Sequence, residues 1–250
     1  MLNRLWLLPL LAILCCAACS AQKLGQHAYS STVTVGKESV EVKYLLYLPD
    51  TYAKDRSYKW PLILFLHGYG ERGNDLELLK KHPLPQMLAQ RTDFPFIVVS
   101  PQLPGDLFPW DSQIESLNVL LGGIRKRYSV DPKRLYLTGL SIGGAGTWEF
   151  ALRYPKRFAA IVPIAGFYKH GSREMPRNLC DLRDLPAWVF HGAQDTTVAI
   201  YQEEILVKAL RECGSSVHFT VYEDADHEAT WRRAYADPAL FEWLAAQSQP

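Results

Sequence analysis

Apolar and polar positions follow two rhythms that alternate along the chain. Positions 32–35 and 40–48 alternate and are β-branched, with Gly36, Lys37 and Glu38 between them, which predicts an antiparallel hairpin. The runs 61–66, 96–100 and 135–138 are short and apolar, as expected of strands buried on both faces of a parallel sheet, and 159–165, 186–190 and 217–222 read as further strands. Helical spacing fills the gaps. It covers 75–90, interrupted by Pro83 and Pro85, and 112–128, with Gly122 and Gly123 as a weak spot. It returns at 145–154, which ends before Pro155, at 200–213, and at 237–246, where Pro238 suits a first turn. Residues 49–59 form a polar loop, and 101–110 a loop rich in proline and aromatics.

Strands alternating with helices predict an α/β fold: a mainly parallel sheet of eight strands, counting the hairpin, with helices on both faces. Ligands in such sheets lie beyond the carboxyl ends of the strands. The loops after positions 66, 100, 138, 165, 190 and 222 should therefore share one edge. The stretch between the strands at 159–165 and 186–190 is too short for a large lid, so an open site is expected. A length of 250 residues, 48% of them hydrophobic, suits one α/β domain over 22–250.

The first residues change the picture. Arg4, an apolar run at 5–14 and the small residues after it make an export signal over 1–21. The run is too short for a comfortable transmembrane helix. Ala17, Ala18 and Cys19 resemble the lipobox of bacterial lipoproteins, which implies a signal over 1–18 and lipid on Cys19, although Cys16 stands where an aliphatic residue is usual. Soluble export after Ala21 is the alternative, so the expected location is periplasm, a lipid-anchored outer membrane, or the secreted fraction. Membrane contact would come only through that anchor. Cys180 and Cys213 form a disulfide or remain two buried thiols.

A net charge of +1 without a basic stripe argues against a nucleic-acid partner. The chemistry centres on Gly139-Leu140-Ser141-Ile142-Gly143, a G-x-S-x-G between a predicted strand and a predicted helix. There a serine hydroxyl stands clear of the sheet beside the first N–H groups of the helix; a serine N-cap in a glycine-rich turn is the competing reading. A serine needs a base and a carboxylate to orient it. Of seven histidines, His227 lies in Glu223-Asp224-Ala225-Asp226-His227-Glu228, a loop at the expected edge. His67 and His191 end buried strands, where a structural imidazole is commoner. Asp195 follows the strand at 186–190; Asp224 and Asp226 are nearer His227 but would have to fold back within one tight loop. Ser141, Asp195 and His227 thus stand in the order Ser…Asp…His of the α/β-hydrolases. The N–H groups of Tyr69 and Ile142 are the candidate oxyanion donors. Glu71 and Arg72 form a brace for the Tyr69 loop or lie on the surface. Phe108, Trp110, Trp148, Phe167, Tyr168 and Trp231 lie near or flank strand-end loops; one or two of them, with Trp110, Trp148, Phe167 and Trp231 as the first candidates, line a substrate pocket, with core or plain surface as the commoner fate. No metal-ligand cluster, phosphate loop or dinucleotide fingerprint is present, so no metal and no cofactor are expected.

Five stretches carry a resemblance: His67-Gly68-Tyr69-Gly70-Glu71-Arg72-Gly73, Pro95 to Gln102, Leu135 to Gly144, Arg157-Phe158-Ala159-Ala160 and Trp188-Val189-Phe190-His191-Gly192. Over about 40–246 the chain resembles exported α/β-hydrolases of the phospholipase/carboxylesterase type. These are related to feruloyl and acetylxylan esterases, polyhydroxybutyrate depolymerases and prolyl-oligopeptidase-like catalytic domains. The resemblance implies a serine esterase acting on small acyl groups of small-molecule or polysaccharide-linked esters, without a metal. It leaves the ester and the oligomeric state open. A prolyl-oligopeptidase-like peptidase, or a binding lipoprotein on an inactive hydrolase fold, are the alternatives.

Overall fold

Trp60–Leu66 is buried along its whole length and forms β3, paired on both sides in a parallel sense. The computed structural model describes residues 22–54 and 57–250. The expected export signal and Cys19 lie outside the described residues. Around β3 lie β1 (Gly25–Val35), β2 (Glu38–Leu48), β4 (Ile97–Pro101), β5 (Val130–Leu140), β6 (Ala160–Ile164), β7 (Trp188–Gly192) and β8 (His218–Tyr222). Together they make an eight-stranded sheet in the order β1-β2-β4-β3-β5-β6-β7-β8. The hairpin β1–β2 and the β2–β4 pair are antiparallel; all other pairs are parallel.

Side chains alternate across β3 and so feed two cores. Leu62, Leu64 and Leu66 pack with α2 (Ile114–Arg127), α3 (Ile142–Arg153) and α4 (Tyr201–Glu212) on one face. Ile63 and Phe65 pack with α1 (Pro83–Gln90), α5 (His227–Ala236) and α6 (Pro238–Ala246) on the other. At about 1.5–3 kcal/mol for each large side chain removed from water, these faces carry most of the drive to fold. Among the described residues no helix is long and apolar enough to cross a membrane.

Three local expectations change. The helical pattern at 75–90 splits into a 3₁₀ turn, Leu76–Lys81, and α1, because Pro83 and Pro85 have no N–H to continue the first segment and fit the first turn of a new one. Gly122 and Gly123 do not break α2, whose buried stripe Leu117, Leu120, Leu121 and Ile124 runs through them. The acidic turn expected around His227 instead begins a helix, α5. Cys180 and Cys213 form a disulfide that ties the 3₁₀ turn Leu179–Leu182 to the end of α4.

The glycines define where side chains fit. A Cβ on Gly143 would lie 2.0 Å from the Leu66 carbonyl oxygen, a backbone atom that cannot move aside. One on Gly122 would meet nothing within 4 Å. Gly122→Ala should therefore raise stability by about 1 kcal/mol, and Gly143→Ala should lower it by several times as much. Urea unfolding of the two variants checks this opposition.

Candidate active site

β5 ends at Leu140 and α3 begins at Ile142, so Ser141 alone makes the turn, at φ 56 and ψ −121. A non-glycine residue there is strained and persists only if its surroundings hold it. They do. Ser141 N–H donates to Ile164 O at 2.9 Å, and its carbonyl accepts from Ala145 N–H at 3.0 Å. A Cβ on Gly139 would sit 2.2 Å from Gly143 O, so strand and helix close onto each other with no room for side chains at either position.

His227 is the first residue of α5. Asp226 caps that helix, its carboxylate accepting from Ala229 N–H at 2.8 Å. The cap fixes where the imidazole emerges. The start of α5 is pressed against the end of β7: a Cβ on Gly192 would meet Ala225 O at 2.2 Å and Thr230 Oγ1 at 2.4 Å. Gln194 N–H to Ala225 O, at 3.0 Å, joins the loop bearing Asp195 to the loop bearing His227.

These restraints bring three predicted residues into one line. His227 Nε2 lies 2.9 Å from Ser141 Oγ, and His227 Nδ1 lies 2.5 Å from Asp195 Oδ2. Asp195 Oδ1 accepts from the N–H groups of Thr197 and Val198, each at 2.9 Å. Burial pushes the Asp195 carboxyl up, but hydrogen bonds from His191, His227 and Val198 outweigh it and hold the group well below the usual carboxylate range. Asp224 and Asp226 have other partners: Asp224 is bonded twice to Arg233, and Asp226 caps α5.

The backbone after β3 lies against the serine. A Cβ on Gly68 would be 3.7 Å from Ser141 Cβ. Tyr69 then opens a 3₁₀ turn, Tyr69–Glu71, and Ile142 opens α3. First residues of helical turns carry N–H groups without an intrahelical partner, and both candidate oxyanion donors open such elements, Ile142 directly after Ser141 and Tyr69 directly after Gly68. His67 anchors this loop. Burial drives its imidazole down to about 4, which keeps it neutral, with Nδ1–H donating to Gly68 O at 2.6 Å and Nε2 accepting from Leu103 N–H at 2.9 Å.

Glu71 and Arg72 do not pair with each other. The Glu71 carboxylate, 6% exposed, meets His82 Nε2 at 2.5 Å. The Arg72 guanidinium lies 3.6 Å from the centre of the Tyr69 ring and donates to Tyr69 O and Leu107 O.

The expected pocket aromatics need correction. Trp148 is 0% and Trp110 1% exposed, so neither has surface to offer a substrate; Trp110 instead donates from Nε1 to His67 O. Phe167 is buried against His170. Trp231 is buried edge-to-face behind His227, ring centres 4.6 Å apart, with His82 on its other side. The exposed aromatics at this edge are Tyr69 and Phe108, 59% and 52% exposed, in T-shaped contact with each other. Phe108 is thus the one of the six aromatic candidates that stays exposed, and it meets the ring of Tyr69.

A sheet in this order, with a strained serine turn after β5, is an α/β-hydrolase fold. Residues 113–235 match the phospholipase/carboxylesterase family. A bifunctional acetylxylan esterase/xylanase of Neocallimastix patriciarum is 26% identical over 188 residues, which are 73% of this chain and 26% of that protein. A solved thermostable esterase is 29% identical, with a TM-score of 0.74 over 89% of this chain and 63% of that one. The ferulic acid esterase of Anaeromyces mucronatus shares the fold at 17% identity, with a TM-score of 0.65 over 87% of this chain and 90% of that one. The chain thus spans about a quarter of the curated esterase/xylanase. The fold is that of an α/β-hydrolase, and just under half of the chain is similar to the phospholipase/carboxylesterase family.

The Glu71–His82 pair fastens the Tyr69 turn to the residue that caps α1. His82→Ala should loosen the turn and lower kcat for an ester substrate by about tenfold, with a smaller change in KM, since misplacing a single oxyanion donor costs transition-state binding first. Steady-state kinetics of the variant against wild type check this split.

Proposed function

We propose that the chain is a serine carboxylesterase acting on esters of small acyl groups, with acetyl and feruloyl esters of plant polysaccharide as the candidate class. The observation that carries the reading is the continuous line Ser141 Oγ–His227 Nε2, His227 Nδ1–Asp195 Oδ2, at 2.9 and 2.5 Å. In this reading His227 takes the Ser141 proton as the hydroxyl oxygen attacks the ester carbonyl. The N–H groups of Tyr69 and Ile142 hold the oxyanion. His227 then protonates the leaving alcohol, and the acyl group stays on Ser141. Water, deprotonated by the same imidazole, releases the acid and restores the serine. Asp195 keeps the proton on Nδ1, so that Nε2 faces the serine as an acceptor.

The exposed rings of Tyr69 and Phe108 support the choice of substrate class, since they offer aromatic surface to an acyl or sugar ring on the loops that follow β3 and β4. Relatives named for acetylxylan and ferulic acid ester hydrolysis support it from outside the chain. The proposal extends to the N-terminus: residues 1–21 direct export, and lipid on Cys19 tethers the enzyme to a membrane. In that case the full-length protein fractionates with membranes and Cys19→Ser does not; a native protein found soluble, with no added mass at its N-terminus, refutes the tether.

On acetyl, butyryl, octanoyl and feruloyl esters the wild type should turn over, and Ser141→Ala should not. Asp195→Asn should cost on the order of a thousand- to ten-thousand-fold in kcat, because the imidazole loses its tautomer control. Asp224→Asn and Asp226→Asn should cost far less. Wild-type-like turnover by Ser141→Ala, or a crippling Asp226→Asn with an intact fold, contradicts the assignment. Phe108→Ala should raise KM for feruloyl esters by about two- to tenfold, the scale of one aromatic contact, and leave acetyl esters nearly unchanged.

A further inference from the structure

His191 and Glu203 are both wholly buried; His191 approaches Asp195 Oδ2, the oxygen that also meets His227, and Glu203 meets the other ring nitrogen of His191. Their protons can be counted. His191 Nε2 faces two oxygens, Val198 O at 2.8 Å and Asp195 Oδ2 at 3.3 Å. A carbonyl oxygen and an ionised carboxylate only accept, so Nε2 carries a hydrogen. His191 Nδ1 lies 2.7 Å from Glu203 Oε2. One proton bridges that contact, and it belongs either to the imidazole or to the acid.

Asp195 decides between them. Its carboxylate accepts from His227, Thr197 and Val198, so it remains ionised, and an anion 3.3 Å from the His191 ring favours the imidazolium. Burial pushes the Glu203 acid up and would lower His191, but the bonds of His191 to Asp195 and Glu203 outweigh its burial and raise it to about 10, and the Asp195 anion beside the ring places the proton on the imidazole.

We propose that Glu203 holds His191 as an imidazolium, and that this cation is a positioning residue for Asp195. It shares the carboxylate with His227 and extends the line to Ser141–His227–Asp195–His191–Glu203. The inference rests on the esterase reading for its kinetic part only.

Its effect on His227 has a definite sign. An Asp195 charge partly neutralised by His191 is a weaker partner for a protonated His227. Loss of the His191 charge would therefore strengthen the attraction between Asp195 and the imidazolium that His227 becomes when it takes the serine proton. The other charged groups around His227 are satisfied elsewhere. On α5, Asp226 caps the helix and Glu228 binds Arg232; before it, Asp224 binds Arg233; across Trp231, Glu71 binds His82. None of them needs to change when Glu203 is replaced.

The test has two arms. In wild-type protein, nitrogen-detected NMR should find His191 with a hydrogen on both ring nitrogens from pH 5 to 8 and no titration between. A single ring hydrogen, with the proton on Glu203, overturns the proposal. This arm needs no catalysis, so it stands or falls apart from the esterase reading. In Glu203→Gln, which keeps shape and removes the charge that holds the proton, the acid limb of kcat/KM should move up by roughly half to one pH unit. His191→Gln should move it the same way, its amide still able to reach Val198 O. A packing role alone lowers stability or kcat and leaves the limb in place; an unmoved limb in two folded variants overturns the tuning role. Absence of ester turnover in wild type would refute the esterase reading and leave the NMR result to decide the proton.

Discussion

One backbone conformation sets the rest of the site. Ser141 sits at φ 56 between a strand and a helix that leave no space for side chains at Gly139 and Gly143. A strained turn of this kind costs on the order of 1–3 kcal/mol, and it persists because neighbouring elements over-determine it. Those neighbours are β3, whose Leu66 carbonyl blocks Gly143, and β6, whose Ile164 carbonyl takes the Ser141 N–H. The sheet order places β5 next to both. The hydrophobic runs that build the sheet therefore also aim the hydroxyl.

The polar half of the site follows a second constraint, that buried polar groups must be satisfied. Each buried histidine has its donors and acceptors matched. His67 is neutral between a carbonyl and an N–H, and stiffens the loop that opens at Tyr69. His191 lies among acceptors only and takes a charge. Asp195 accepts on both oxygens, so it has no freedom to leave His227. Two histidines at the carboxyl ends of β3 and β7 thus have opposite protonation preferences, set by what the backbone and one helical glutamate offer them.

Much of this was legible in the chain. Continuous apolar runs located the parallel strands, and the carboxyl-edge rule grouped Ser141, Asp195 and His227 before any contact was known. Helix α5 was not read, although Asp226 as cap, Glu228 in the first turn and the buried set Thr230, Trp231, Ala234 and Tyr235 are its signal; the acidic run hid the cap. The pocket aromatics are only partly legible, because nearness to a strand end says nothing of which way a ring points: Trp110 and Trp148 turn into the core while Phe108 turns out. Glu203 was hidden for a related reason. It occupies the buried stripe of α4 with Leu206, Val207 and Leu210, where only its three-dimensional partner explains a charge.

The central claim is that the line from Ser141 to Asp195 forms and breaks an acyl-serine. The most direct measurement is rapid-quench intact-protein mass spectrometry during turnover of p-nitrophenyl acetate, followed by peptide mapping. The account predicts a transient species heavier by one acetyl group, carried on Ser141, formed in step with a burst of nitrophenol and lost as turnover ends. Ester hydrolysis without any acetylated protein, or with the acetyl group on another residue, would contradict it.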